Sequence, residues 1–358
     1  MSEDLLIRSL SSPDLLSSLN LADWDRLIPA ARRQGLLGRV EALLAQCELL
    51  DRVPPPARRH LESARIVADN EERVLLWEIN RLERALKGAD TRVVLLKGAA
   101  YALSGLSVAR GRFSTDVDVL VARSEIEKIE AMLLRAGWRP TKLDEYDQYF
   151  YRRWSHELPP LQHKDRGTVV DVHHTILPPT GRLHPDPEKL LAASVPVEGT
   201  RFRVLAPLDM VLHSAAHAFQ DGDLARGLRD LVDVDGLVRH FSRVENFWEP
   251  LLSRAEELEL SRPLFYALRY AQRYLDTPIA EVIWKKRDWR PCRLALVSMD
   301  GLVDGALHSG GSRVKRFWNR LSLRLLYIRS HWLRMPPWLL AKHLLRQAIR
   351  RWRRGKSA

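Results

Sequence analysis

Apolar residues change their spacing along this chain, and the changes divide it. From residue 4 to about 88 they recur every three or four positions: Leu5-Leu6, Leu15-Leu16, Trp24 and Leu27, Leu36-Leu37, Leu43-Leu44, then a long stretch near 57–87. That spacing predicts amphipathic helices, interrupted at Pro54-Pro55-Pro56. Then the pattern switches. Arg92-Val93-Val94-Leu95-Leu96 reads as a short buried strand that runs into a turn and helix at Lys97-Gly98-Ala99-Ala100. In Asp116-Val117-Asp118-Val119-Leu120-Val121 the apolar residues alternate with acids, the period of a strand. Glu125 to Ala136 is helical and Gly137 closes it. Two or three strands are expected over about 147–177, ending with Thr168-Val169-Val170-Asp171-Val172-His173. A Pro-rich loop follows at 178–187, and the chain is helical from Leu208 into the tail. The expected fold is α+β: a small mixed sheet flanked by N-terminal and C-terminal helical regions. The expected units are 1–88, 89–205, 206–310 and 311–358.

Residues i and i+2 of a strand share a face, so Asp116 and Asp118 project together against their own repulsion. Such a pair within an apolar strand suits a hard divalent cation, Mg²⁺ or Mn²⁺. The alternative is a solvated strand end. Asp171, on another apolar strand, offers a third carboxylate, and three acids can hold two ions around a triphosphate. Lys97 supplies a point charge, and Gly98 lets a backbone approach a phosphate closely. Arg112, four residues before Asp116, is placed to bind a phosphate oxygen. His173 shares a strand face with Asp171, to orient it, touch substrate or serve as a half-buried structural histidine. Relief of carboxylate repulsion predicts that Asp116→Asn or Asp118→Asn leaves stability unchanged or higher.

These motifs resemble the polymerase-β-like nucleotidyltransferase superfamily, and within it the bacterial family often called uncharacterised nucleotidyltransferase. The matches are Leu96-Lys97-Gly98, Arg112, Asp116-Val117-Asp118 and Asp171-Val172-His173. A weaker resemblance runs from roughly residue 5 to 240. The resemblance implies a nucleotidyltransferase core over 89–205 that moves an NMP from an NTP to a hydroxyl or phosphate acceptor. Asp116, Asp118 and Asp171 would hold Mg²⁺ or Mn²⁺, with Lys97, Gly98 and Arg112 on the nucleotide. It also implies a helical wall after the sheet, which makes His213, His217 and Asp230 acceptor contacts. The usual Gly-Ser turn is Gly98-Ala99 here, without the hydroxyl that touches triphosphate. That departure supports a rival reading, a degenerate scaffold of the same fold. A second rival is a phosphohydrolase using His213, His217 and Asp230.

Charge redistributes the picture. The net charge is +12, yet residues 311–358 carry fourteen Lys or Arg and no acid, leaving the other 310 residues at about −2. A near-neutral body argues against nucleic-acid binding. In the tail, Arg and Lys alternate with Trp, Phe and Leu at helical spacing, broken at Pro336-Pro337. This suits amphipathic helices on an anionic membrane surface, a helix packed on the body, or an acidic partner. Cys47 and Cys292 form no disulfide framework, the N-terminus lacks a signal-peptide pattern, and no run of about 18 apolar residues is present. The expectation is a cytoplasmic protein, peripheral on the inner face of the membrane. The acceptor, the NTP base and the oligomeric state are not legible.

Overall fold

Asn20 caps the helix Leu21–Arg33, its side chain accepting the Asp23 N–H at 3.0 Å. Trp24 from that helix is buried in a hydrophobic cluster that continues through the sheet to Leu326. The computed structural model describes residues 2–141, 145–221, 224, 227–308 and 312–341. Pro55 and Pro56 open the helix Pro55–Ala85, where a missing N–H costs nothing. At 31 residues it spans about 46 Å. Its buried stripe includes Leu61, Ala64, Ala68, Leu75, Ile79 and Leu82. Glu78, also buried, is held by Arg166 at 2.6 Å.

Seven strands form one mixed sheet: β1 Val94–Leu95, β2 Asp116–Leu120, β3 Trp138–Pro140, β4 Leu161–His163, β5 Val169–His173, β6 Val195–Pro196 and β7 Arg203–Val204. Their order is β3-β4-β5-β2-β1-β7-β6. β2 is central, antiparallel to β1 and parallel to β5. Val117 and Val119 of β2 and Val170 and Val172 of β5 are buried, as expected of strands covered on both faces. The helices Pro207–Ala216, Gly227–Phe241, Trp248–Glu257, Ser261–Leu275 and Arg293–Leu307 follow the sheet.

The segment expected to hold two or three strands holds two, β4 and β5, and opens on a helix. Residues Glu145–Trp154 coil, although aromatic residues there favour strand locally. Arg152 clamps Glu130 on the helix Ile126–Arg135 through two hydrogen bonds of 3.0 and 2.6 Å.

The tail helix Arg313–Arg334 lies on the body by a face of small residues: Ser322 and Ser330 are buried beside Leu326. Gly305 meets it where a Cβ would collide with the Ser322 hydroxyl. Asn319 Nδ2 donates to the Gly305 and Ala306 carbonyls at 2.9 and 3.0 Å. Val314, Leu325, Ile328 and Trp332 form an exposed apolar row, while the half-exposed Trp318 has its indole nitrogen beside Gly305. Residues 337–341 resume a helix; the expected continuation over 342–358 lies outside the described residues.

Candidate active site

Parallel pairing of β2 and β5 sets Asp118 opposite Asp171. Asp116 is exposed at the start of β2, Asp118 is buried and Asp171 half-buried. β1 approaches β2 from the other side, and the Leu96 N–H bonds the Asp118 carbonyl at 3.0 Å. That pairing brings Lys97 Nζ to 3.2 Å from Asp118 Oδ1. Lys97 has φ +44°, a left-handed conformation uncommon outside glycine. Gly98 is required for packing: a Cβ there would strike the Arg112 guanidinium and the Ser114 hydroxyl.

The three carboxylates are not equivalent. Burial opposes ionisation of Asp118, but Lys97 and the hydrogen bond from His173 Nε2, at 3.0 Å, outweigh it and hold its carboxyl well below the usual range. Asp171 goes the other way. Burial, reinforced by Glu157 and Asp118, pushes its carboxyl up to about 7. Its Oδ1 is buried without a hydrogen-bond partner. Asp118→Asn, expected to leave stability unchanged or higher, removes a charge that Lys97 and His173 compensate, while the repulsion rests on Asp171. An all-oxygen set with one bare buried oxygen and mutually repelling acids fits a hard divalent cation.

Other expected site residues are spread around this pair. His173 lies between Asp118 and Glu157, with Nε2 at 3.4 Å from Glu157 Oε2. Arg112 is engaged elsewhere: Nε reaches Asp233 Oδ2 at 2.9 Å, Nη1 bonds the Ser114 hydroxyl, and Arg39 joins Asp233 at 3.7 Å. Burial, then Lys97, His217 and His173, lower the His213 imidazole well below its ordinary pKa, so it is neutral. Asp230 is pushed up to about 7 by burial and Asp233, against Arg229, Arg112 and Lys97. His217 is half-buried where the helix Pro207–Ala216 passes into the π-turn His217–Asp221. Among the described residues, the group of three His, Cys or acid side chains within metal-ligand reach is His156, Glu157 and His173. Neither Asp116, Asp118 and Asp171 nor His213, His217 and Asp230 form such a group among the described residues.

Glu157 and His156 escaped sequence reasoning. They precede β4 in a segment whose pairing with the end of β5 is tertiary. The adjacent His-Glu pair was the only local sign of them. A cavity of about 260 Å³, lined in part by Glu71, Ser114, Thr115 and Thr168, lies between the long helix and the residues preceding β2 and β5.

Residues 20–276 match the family described as "Uncharacterised nucleotidyltransferase". The chain belongs to this family. Family membership and the mixed sheet flanked by helices agree with a general nucleotidyltransfer role. Among solved structures, the chain is similar to an antigenic nucleotidyltransferase-like protein from Paracoccidioides brasiliensis. The two are 14% identical with a TM-score of 0.32, over 59% of this chain and 97% of the other. No curated protein matches.

Proposed function

We propose that this nucleotidyltransferase-family chain transfers an NMP from an NTP to a hydroxyl or phosphate acceptor and releases pyrophosphate. Asp116, Asp118 and Asp171 would hold the divalent ion, Mg²⁺ or Mn²⁺. The supporting observation is the β2–β5 register, which sets Asp171 and its bare oxygen opposite Asp118. When bound, such ions activate the acceptor and spread the triphosphate charge. The acceptor oxygen bonds to the α-phosphorus, the bond to the pyrophosphate oxygen breaks, and the acceptor proton passes to Asp171. Lys97 steadies Asp118 and stands next to Gly98 as the cation for phosphate. Arg112 reaches phosphate only if it leaves Asp233. His173, His213, His217 and Asp230 form the acceptor side. On this reading 89–205 supplies the ligands, 206–310 the opposite wall, and 1–88 the long helix that lines the cavity before β2 and β5.

The test is pyrophosphate release from each NTP with Mg²⁺ or Mn²⁺ across hydroxyl and phosphate acceptors. Asp116→Asn should fall to background with its unfolding midpoint unchanged, because Asp116 is exposed. Full activity in that variant overturns the assignment. NTP binding without turnover favours the scaffold reading. Phosphate-ester hydrolysis lost in His217→Ala and kept in Asp116→Asn favours the phosphohydrolase.

We also infer that residues 311–358 rest on an anionic bilayer, with the protein otherwise in the cytoplasm. In the described part, the outward row of the helix Arg313–Arg334 is apolar, and Arg320 and Arg324 on the same helix are exposed. Pairing this row with a second copy would bring like charges together, whereas acidic headgroups would neutralise them. Trp332 suits the interface. No described helix is long and apolar enough to cross a membrane. Co-sedimentation with phosphatidylserine vesicles, lost in Ile328→Glu/Trp332→Glu and absent with phosphatidylcholine, is the expected result; equal sedimentation of both proteins contradicts it.

A further inference from the structure

Beside the carboxylate pair the chain assembles a second donor set of different chemistry. Glu157 and His173 face each other across an antiparallel bridge. Backbone hydrogen bonds fix the segment on either side: Leu158 N–H to the Val172 carbonyl and His174 N–H to the His156 carbonyl, both 2.9 Å. Opposed residues of an antiparallel pair send their side chains to one face. Donor atoms of His156, Glu157 and His173 lie within 4.8 Å of one another. Ligands about 2.1 Å from a common ion stand roughly 3.4 Å apart, so small side-chain rotations close this set.

His173 carries the second observation. It is buried, its Nε2 bonds Asp118 Oδ1 at 3.0 Å, and its Nδ1 has no hydrogen-bond partner. Glu157 Oε2 lies 3.4 Å from that same Nε2, so an ion shared by Glu157 and His173 would take Nε2 in place of its bond to Asp118, whose carboxylate then stands beside the ion. Two imidazoles and one carboxylate favour a borderline ion over Mg²⁺, which prefers oxygen alone.

We propose that His156, Glu157 and His173 form a binding site for one divalent transition-metal ion, of the Zn²⁺, Co²⁺ or Mn²⁺ class, adjoining the carboxylates of β2 and β5. Asp118 joins the two sites: it is a ligand candidate in one and stands beside the ion of the other. The proposal goes beyond the nucleotidyltransferase reading and does not need turnover.

The test titrates the full chain with Co²⁺ alone, following its visible absorption, and with Zn²⁺ by calorimetry. One equivalent of Co²⁺ with a nitrogen-and-oxygen ligand-field spectrum is expected. His156→Ala and Glu157→Gln, each checked for folding by circular dichroism, should each weaken Co²⁺ at least about tenfold. Asp116→Asn should leave the Co²⁺ spectrum in place. Absence of binding by the folded wild-type chain overturns the proposal, as does binding lost in Asp116→Asn but kept in both other variants. Mg²⁺-dependent NTP binding, measured on the same samples, reports on the carboxylate site separately.

Discussion

The Lys97 side and the Glu157 side of the β2–β5 pair surround the same kind of group with opposite electrostatics. On the first, Asp118 is buried but receives an ammonium and an imidazole N–H, and stays ionised. On the second, Asp171 meets other carboxylates and keeps one oxygen bare. Position in the strand register does not explain the difference, because the two residues are paired in it. The neighbours explain it. Asp118 is an anchor that the fold has already compensated, whereas Asp171 is an uncompensated acid that a cation completes.

Variants can break this contrast, and the largest effect is expected at the anchor. Asp118→Asn leaves Lys97 facing a neutral amide and should cost about 3 kcal/mol in urea unfolding, besides loss of transfer. A variant as stable as wild type would show that the compensation is illusory. Asp171→Asn should act in the opposite sense. A folded-state carboxyl raised to about 7 stabilises the protein below the unfolded pKa near 4, and that advantage is lost as pH rises to about 7. In EDTA at pH 8 the asparagine variant should therefore be more stable, by about 2 kcal/mol. At pH 4 this difference should vanish, and Mg²⁺ should raise the wild-type melting temperature at pH 8 without raising the variant's. A smaller effect sharpens the anchor side. Lys97→Ala and Lys97→Gly both remove the ammonium, but glycine relieves the positive φ. Lys97→Gly should be less destabilising by about 1 kcal/mol. Smallest of all, Asp116→Asn should change stability by less than about 0.5 kcal/mol, because Asp116 is exposed.

The alternation in β2 and the short strand before Lys97 were legible because apolar periodicity reports burial directly. So were the Asp-x-Asp pair and the later acid, since few apolar strands carry carboxylates without cause. What stayed hidden depends on partners distant in sequence. Periodicity cannot say that Lys97 would compensate Asp118 or that Arg112 would turn to Asp233. Nor can it say that Glu145–Trp154 would be a helix whose Arg152 meets Glu130. Glu157 escaped for the same reason: its importance comes from the residue opposite it. Gly98 was legible as a close approach, but the approaching groups are Arg112 and Ser114.

The most direct test of the central claim is calorimetric titration of the wild-type chain and Asp116→Asn with each NTP, in Mg²⁺ and then in EDTA. The account predicts binding of at least one NTP that requires Mg²⁺ and is lost in the folded Asp116→Asn variant. Binding to neither, or binding indifferent to both Mg²⁺ and Asp116, would contradict it.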